Sequence, residues 1–142
     1  MKKRRLDAEI DFTFTLLGLI TTLKEYKLAW LLNNHLDIQL DKTKDIKIDF
    51  LKSKNLVISN YIFETEHSCF RLLKNKSVDR FEDNLAFLIP ELKRFDYLAI
   101  VQGFEDTFSN QELKECLSSI KQIQYVQSFN VEELKSKENL IF

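Results

Sequence analysis

The only proline of the chain, Pro90, lies at the start of the sequence Ile-Pro-Glu-Leu-Lys-Arg-Phe-Asp-Tyr, residues 89–97. Since the 142 residues include only two glycines, few other positions force a change of backbone direction. Proline is well tolerated in the first turn of a helix, and Leu92 and Phe95 follow at helical spacing. This spacing predicts one helical turn, followed by a strand through the apolar run Leu98–Val101.

Hydrophobic periodicity predicts the remaining elements. Two patterns typical of a capping box, Thr22 with Glu25 and Ser109 with Glu112, predict the starts of two helices. The polar interval 74–84 is interpreted as a loop, and residues 42–45 are interpreted as another. The predicted helices cover residues 22–36 and 109–120, and the predicted strands cover 10–20, 46–50, 56–63, 69–73, 97–102 and 124–129.

This order of elements predicts a single α+β domain over residues 1–142. Each end reads as strand-helix-strand, and a meander of three strands lies between the two ends. The expected architecture is one mixed, mainly antiparallel sheet with both helices packed on one face. It resembles a split βαβ arrangement with an inserted meander, although the order of the strands stays open. Residues 1–8 are expected to form a flexible basic N-terminus.

Composition argues against several classes of function. A net charge of −1 does not favour binding to nucleic acid or to an anionic membrane. Two glycines are too few for the glycine-rich loops that hold phosphates. Two histidines and two cysteines show no metal-ligand spacing. No catalytic, cofactor-binding or metal-ligating residue is therefore named, no cofactor is expected, and a non-catalytic protein is favoured.

The N-terminal sequence favours a cytoplasmic protein. The basic run Lys2, Lys3, Arg4 and Arg5 is followed by acidic residues at positions where a signal peptide would be apolar. The apolar run 16–20 is too short to cross a bilayer, so no membrane association is expected. The basic run itself has two interpretations, a contact for RNA or another anion and a solvated flexible terminus. The second interpretation is preferred.

Two further segments are candidates for contact with a partner. Leu140, Ile141 and Phe142 end the chain with three apolar residues, which dock either on their own domain or on another protein. The segment around Pro90 has a structural interpretation, in which it forms a turn. In the functional interpretation, Pro90 and three polar side chains form a recognition site beside the sheet; these are Glu91, Asp96 and Tyr97.

Residues 89–97 resemble the signature of the IPExxxVDY family of small bacterial proteins. Ile89-Pro90-Glu91 and Asp96-Tyr97 match it, while Phe95 stands where the family name has valine. The resemblance extends to the segment Leu17–Leu36 and to the ending L-K-S-K-E-N-L-I-F. It implies no activity, fold or catalytic residue. The family's genes tend to lie near those for ribonuclease III and acyl carrier protein, which hints at RNA processing or lipid synthesis.

Three hypotheses about function follow from the sequence. The first is a non-catalytic protein–protein interaction or adaptor module that binds an unknown partner through the Pro90 turn and the C-terminus. The second is an RNA-associated accessory protein that uses Lys2–Arg5. The third is a small-ligand-binding domain, which requires a concave pocket lined by convergent polar groups. Homo-oligomers are compatible with all three.

Overall fold

The computed structural model describes residues 14–48, 56–78, 87–104 and 106–141. Within these ranges the chain forms one six-stranded sheet, two α-helices and three short 3₁₀ turns. The turns are Pro90–Leu92, Val131–Glu133 and Lys137–Leu140. The helices and strands are β1 (Thr15–Ile20), α1 (Glu25–Leu36), β2 (Asp41–Ile48), β3 (Leu56–Glu64), β4 (Cys69–Lys74), β5 (Tyr97–Gln102), α2 (Asn110–Ser118) and β6 (Tyr125–Phe129).

The strands are arranged in the order β2-β3-β4-β5-β1-β6, and each described pairing is antiparallel. The predicted α+β class with a mainly antiparallel sheet is confirmed, but the parallel pairing that a mixed sheet would contain is not found among the described strands. The predicted split βαβ arrangement is also present, because β1 lies between β5 and β6 and separates the two strands that α2 connects. This separation explains why no parallel pair occurs among the described strands: those that run in the same direction are never neighbours.

Both helices pack on the same face of the sheet, as predicted. Leu28 and Leu32 of α1 and Leu113 and Leu117 of α2 are almost fully buried in one hydrophobic cluster. Alternate strand residues, such as Leu17, meet them from the sheet, since successive side chains of a strand point to opposite faces. No helix in the described ranges combines the length and the apolarity needed to cross a bilayer.

The opposite face of the sheet is covered without an α-helix. Leu16 and Leu98 pack there against Ile89 from the Pro90 segment and against Val131 and Leu140 from the C-terminal segment. Together the two clusters bury both sides of β1. β1 is an interior strand, between β5 and β6, and is covered on both faces, so its burial is nearly complete on each of them.

Of the two predicted helix starts, the structure confirms one. At α2 the Ser109 hydroxyl accepts from the amide of Glu112, whose carboxylate accepts from the amide of Ser109. At α1 the N-cap is Lys24, which makes no side-chain cap. The capping box at Thr22 was therefore wrong.

The predicted loop at residues 42–45 is part of a strand. β2 begins at Asp41, and its register with β3 shifts between Thr43 and Ile46. As an outer strand, β2 tolerates a bulge and a polar, exposed sequence. Its first residues therefore do not alternate between apolar and polar, and alternation was the pattern used to predict strands. Of the interval predicted as a loop at 74–84, residues 79–84 lie outside the described residues.

Candidate functional site

The segment 89–97 is held in place by the amide of Asn75, which is fully buried. Its Nδ2 donates to the carbonyl oxygens of Leu92 and Phe95, at 2.9 and 3.1 Å. Its Oδ1 accepts from the amide of Ile89 at 2.9 Å. One side chain thus fixes both ends of the turn. Sequence reasoning missed Asn75 because an isolated asparagine after a strand carries no signal of burial.

The beginning of the segment has the predicted turn and binds the chain's own C-terminal segment. Pro90 begins the 3₁₀ turn and is exposed. The Glu91 carboxylate accepts from the amide and the hydroxyl of Ser136, at 2.8 and 2.9 Å. Burial alone would raise the pKa of Glu91, but the hydrogen bonds from Ser136 hold this pKa below its usual range.

The C-terminal segment packs beside this turn. Leu140 is buried, Ile141 is half-buried, and Phe142 lies outside the described residues. Asn139 donates from Nδ2 to the carbonyl oxygen of Leu88 at 2.8 Å. Of the two arrangements considered for the C-terminal residues, Leu140 therefore adopts the first: it docks on its own domain. The two segments proposed as separate contact surfaces pack together, and Lys2–Arg5 lie outside the described residues.

Asp96 and Tyr97, at the other end of the segment, contact the chain that leads into α1. Asp96 Oδ2 accepts from the amide of Thr21 at 3.0 Å, and the Tyr97 hydroxyl donates to the carbonyl oxygen of Leu23 at 2.7 Å. Burial raises the pKa of Tyr97, and the negative charges of Glu25 and Asp96 raise it further. The Tyr97 hydroxyl therefore stays protonated at neutral pH and keeps its role as a donor.

These contacts form part of the wall of an open cleft of about 640 Å³, called here the lysine cleft. Residues 20–24, between the end of β1 and the start of α1, line one side of it, and Phe87, Phe95 and Tyr97 add aromatic surface. Its four lysines come from the N-cap of α1, the end of β4, the chain after β4 and the chain after the Pro90 turn. They are Lys24, Lys74, Lys76 and Lys93.

The lysine cleft carries an excess of positive charge. Among the described residues that line the cleft, four are lysines and one, Asp96, is acidic. One oxygen of Asp96 already accepts from the amide of Thr21, and the Glu25 carboxylate is near enough to raise the pKa of Tyr97 in the same wall. Within the described residues, none of the four lysines takes part in an ion pair. The charges are near one another only in the fold, and a net charge of −1 for the whole chain conceals them.

A second cavity of about 500 Å³, called here the aromatic groove, adjoins the lysine cleft at Leu23, which lines both. Tyr26 and Trp30 line this groove together with Lys27 and Gln122. Tyr26 is 60% exposed and Trp30 is 65% exposed. Trp30 therefore lies largely in solvent, although the helix that carries it packs on the sheet.

The remaining polar groups do not converge on a reactive centre in the described part of the chain. No group of three or more His, Cys, Asp or Glu side chains is placed there to hold a metal ion. His35 Nδ1 hydrogen-bonds the carbonyl oxygen of Leu31, and His67 lies 3.8 Å from Glu66 with both side chains exposed. The chemistry that the cleft offers is the binding of anions by lysine side chains.

Comparison with known proteins adds no family to this description. The resemblance to the IPExxxVDY family stays a prediction that rests on residues 89–97 and the two further segments that share it. No protein-family model matches the chain, and no curated protein matches it.

Proposed function

We propose that this protein is a non-catalytic small-ligand-binding domain whose lysine cleft takes a phosphate or carboxylate group. The observation that carries the proposal is the convergence of four lysines, without ion pairs among the described residues, on one cleft of about 640 Å³. Like charges brought together repel one another, and a bound anion relieves that repulsion. The volume is in the range of about 300–1,000 Å³ that is usual for small-molecule pockets.

The four lysines differ in how firmly they are placed. Lys74 and Lys76 are half-buried beside the sheet, whereas Lys24 and Lys93 are exposed. The half-buried pair provides a positioned charge, and the exposed pair can close on a ligand from the rim. Asp96 supports the wall by its hydrogen bond to Thr21. Within the segment 89–97, Lys93 thus supplies one of the four charges, and the other residues that line the cleft shape its wall.

The interaction module that the sequence favoured is less well supported by this geometry. Glu91 has its partner in Ser136, and Leu140 is buried in the chain's own core. An RNA-associated role through Lys2–Arg5 stays a prediction, because those residues lie outside the described ranges. A cytoplasmic location is part of our proposal. It is supported by Cys69 and Cys116, which are free thiols as expected in a reducing compartment.

The proposal is tested by titrating the protein with pyrophosphate in a calorimeter and comparing it with the double variant Lys24→Ala/Lys93→Ala. Both lysines are exposed, so the variant keeps the fold. An exposed charge at contact distance contributes about 1 kcal/mol, so losing two should weaken binding by about tenfold or more. Raising the salt concentration should weaken binding to the wild-type protein as well, because salt screens exposed charges.

Lys47→Ala is the matched control, since Lys47 is an exposed lysine on the outer strand β2 and does not line the cleft. We expect this variant to bind pyrophosphate as the wild-type protein does. Equal weakening by Lys47→Ala and by the double variant would show a diffuse charge effect and contradict the proposal. So would a wild-type protein that binds neither pyrophosphate nor a di- or tricarboxylate such as citrate.

A further inference from the structure

The aromatic groove continues from the lysine cleft along one face of α1. Tyr26 and Trp30 are four residues apart, so their side chains are neighbours on the helix surface. Lys27 also lines the groove, and Leu23 belongs to the walls of both cavities. A ligand that enters the lysine cleft at the start of α1 can therefore extend onto an aromatic surface without leaving the protein.

The spacing along α1 suits a ligand with an anionic end and a flat end. At about 1.5 Å per residue, Trp30 lies about 9 Å farther along the axis than Lys24. This is comparable with the separation between the phosphate and the base of a nucleotide. The groove offers an indole with most of its surface in solvent, which is an effective surface for stacking a flat ring.

Polar groups accompany the aromatic surface. Gln122 lines the aromatic groove, and Gln124 lines the lysine cleft. An amide side chain both donates and accepts hydrogen bonds, so each glutamine can bind a sugar hydroxyl or the edge of a base. The backbone that carries them is fixed next to α1, because the carbonyl oxygen of Gln122 accepts from the Thr21 hydroxyl at 2.8 Å.

We propose that the ligand is a nucleotide whose phosphate binds in the lysine cleft and whose base stacks on Trp30. This inference rests on the proposed function, since the same lysines hold the phosphate. A positively charged groove beside exposed aromatic side chains is the arrangement by which proteins bind single-stranded nucleic acid and its components. The shared chemistry is a phosphate next to a base, which a free nucleotide and the 5′ end of an RNA strand both present.

The single tryptophan of the chain makes the test specific, because the fluorescence excited at 295 nm comes from Trp30 alone. The protein is titrated with adenosine 5′-monophosphate and with ribose 5-phosphate, which carries the phosphate without the base. We expect the nucleotide to quench the fluorescence and to bind about tenfold more tightly, given the usual gain from base stacking. N-acetyltryptophanamide titrated in parallel measures the quenching that collisions alone produce.

Variants at position 30 separate stacking from phosphate binding. Because Trp30 is largely exposed, Trp30→Ala should fold, and circular dichroism checks this. In calorimetry we expect this variant to bind the nucleotide and ribose 5-phosphate equally, while Trp30→Phe keeps part of the preference for the nucleotide. A preference that survives unchanged in Trp30→Ala would overturn the inference.

The outcomes distinguish this inference from the proposed function. If ribose 5-phosphate and the nucleotide bind the wild-type protein with equal affinity, the stacking inference fails and the anion-binding proposal stands. If neither they nor pyrophosphate bind, both fail, and a protein partner for the aromatic groove becomes the better explanation. A 5′-phosphorylated pentaadenylate that binds at least as tightly as the mononucleotide would support the inference and identify an RNA end as the source of the phosphate and base.

Discussion

A single amide determines how the segment 89–97 meets the sheet. Asn75 uses both hydrogen atoms of its side-chain amide, and its Oδ1 accepts from the amide of Ile89. All these partners are main-chain groups, so their geometry follows from the path of the segment. Because the site is buried, no water replaces a lost hydrogen bond without rearrangement. Asn75 therefore influences the lysine cleft indirectly, through the position of Asp96 and Tyr97.

Replacing Asn75 with leucine should destabilise the protein strongly. The carbonyl oxygen of Phe95 and the amide of Ile89 would lose their partner, while the carbonyl oxygen of Leu92 would keep only the amide of Phe95. Each unsatisfied buried group costs about 1–3 kcal/mol. We expect the free energy of unfolding in urea to fall by about 3 kcal/mol or more. Asn34→Leu is the control, because Asn34 is exposed on α1 and should change stability by less than about 0.5 kcal/mol. Similar losses for the two variants would contradict the role given to Asn75.

The hydrogen bonds to Glu91 predict a specific dependence of stability on pH. Since they hold the pKa of Glu91 below its ordinary value of 4.5, the folded state favours the charged carboxylate. The resulting stabilisation is present above pH 4.5 and is lost as the pH falls through the lowered pKa of the folded state. We expect wild type to be more stable than Glu91→Gln at pH 7 and the difference to shrink below pH 4.5. A difference that stays constant from pH 7 to pH 3 would contradict this account.

At the scale of the elements, the sequence predicts the start of a helix correctly when the hydrogen bonds at that start join residues close together in the chain. The start of α2 follows from Ser109 and Glu112, three residues apart, whose hydrogen bonds need nothing from the rest of the fold. The start of α1 does not follow from its sequence, because the Thr21 hydroxyl donates to Gln122, far along the chain, and accepts from the amide of Leu23. The helix then begins after Lys24 instead of at a capping box.

The end of α1 carries a residue in an unfavourable backbone conformation. Asp37 has φ 57°, in the left-handed region, and forms the C-cap. Glycine adopts this conformation without the steric cost of a β-carbon, so Asp37→Gly should raise the free energy of unfolding by about 0.5–1 kcal/mol. Thermal unfolding measures the change. Asn34→Gly, in the last turn of the same helix, should instead lower stability by about 0.3 kcal/mol, and a stabilising effect there would contradict the argument.

At the scale of the whole molecule, the sequence predicted the class of fold but not the candidate site. Alternating and helical patterns are local, so they gave the helices and most strands. The four lysines lie at positions 24, 74, 76 and 93, and only the order of the strands brings them to one cleft. The exposure of Trp30 likewise depends on which side of α1 faces the sheet. These properties come from long-range packing, which residue spacing alone does not contain.

The position of β1 between β5 and β6 also bears on how the chain folds as it is made. Thr15 pairs with Val101, and Ile20 pairs with Tyr125, so the first described strand finds its neighbours only among the last ones. During synthesis the meander β2-β3-β4 can form early, while β1 waits unpaired until β5 and β6 have left the ribosome. The side of the sheet formed by β5, β1 and β6 is thus completed after the meander, although β1 is the first of the described strands to be made.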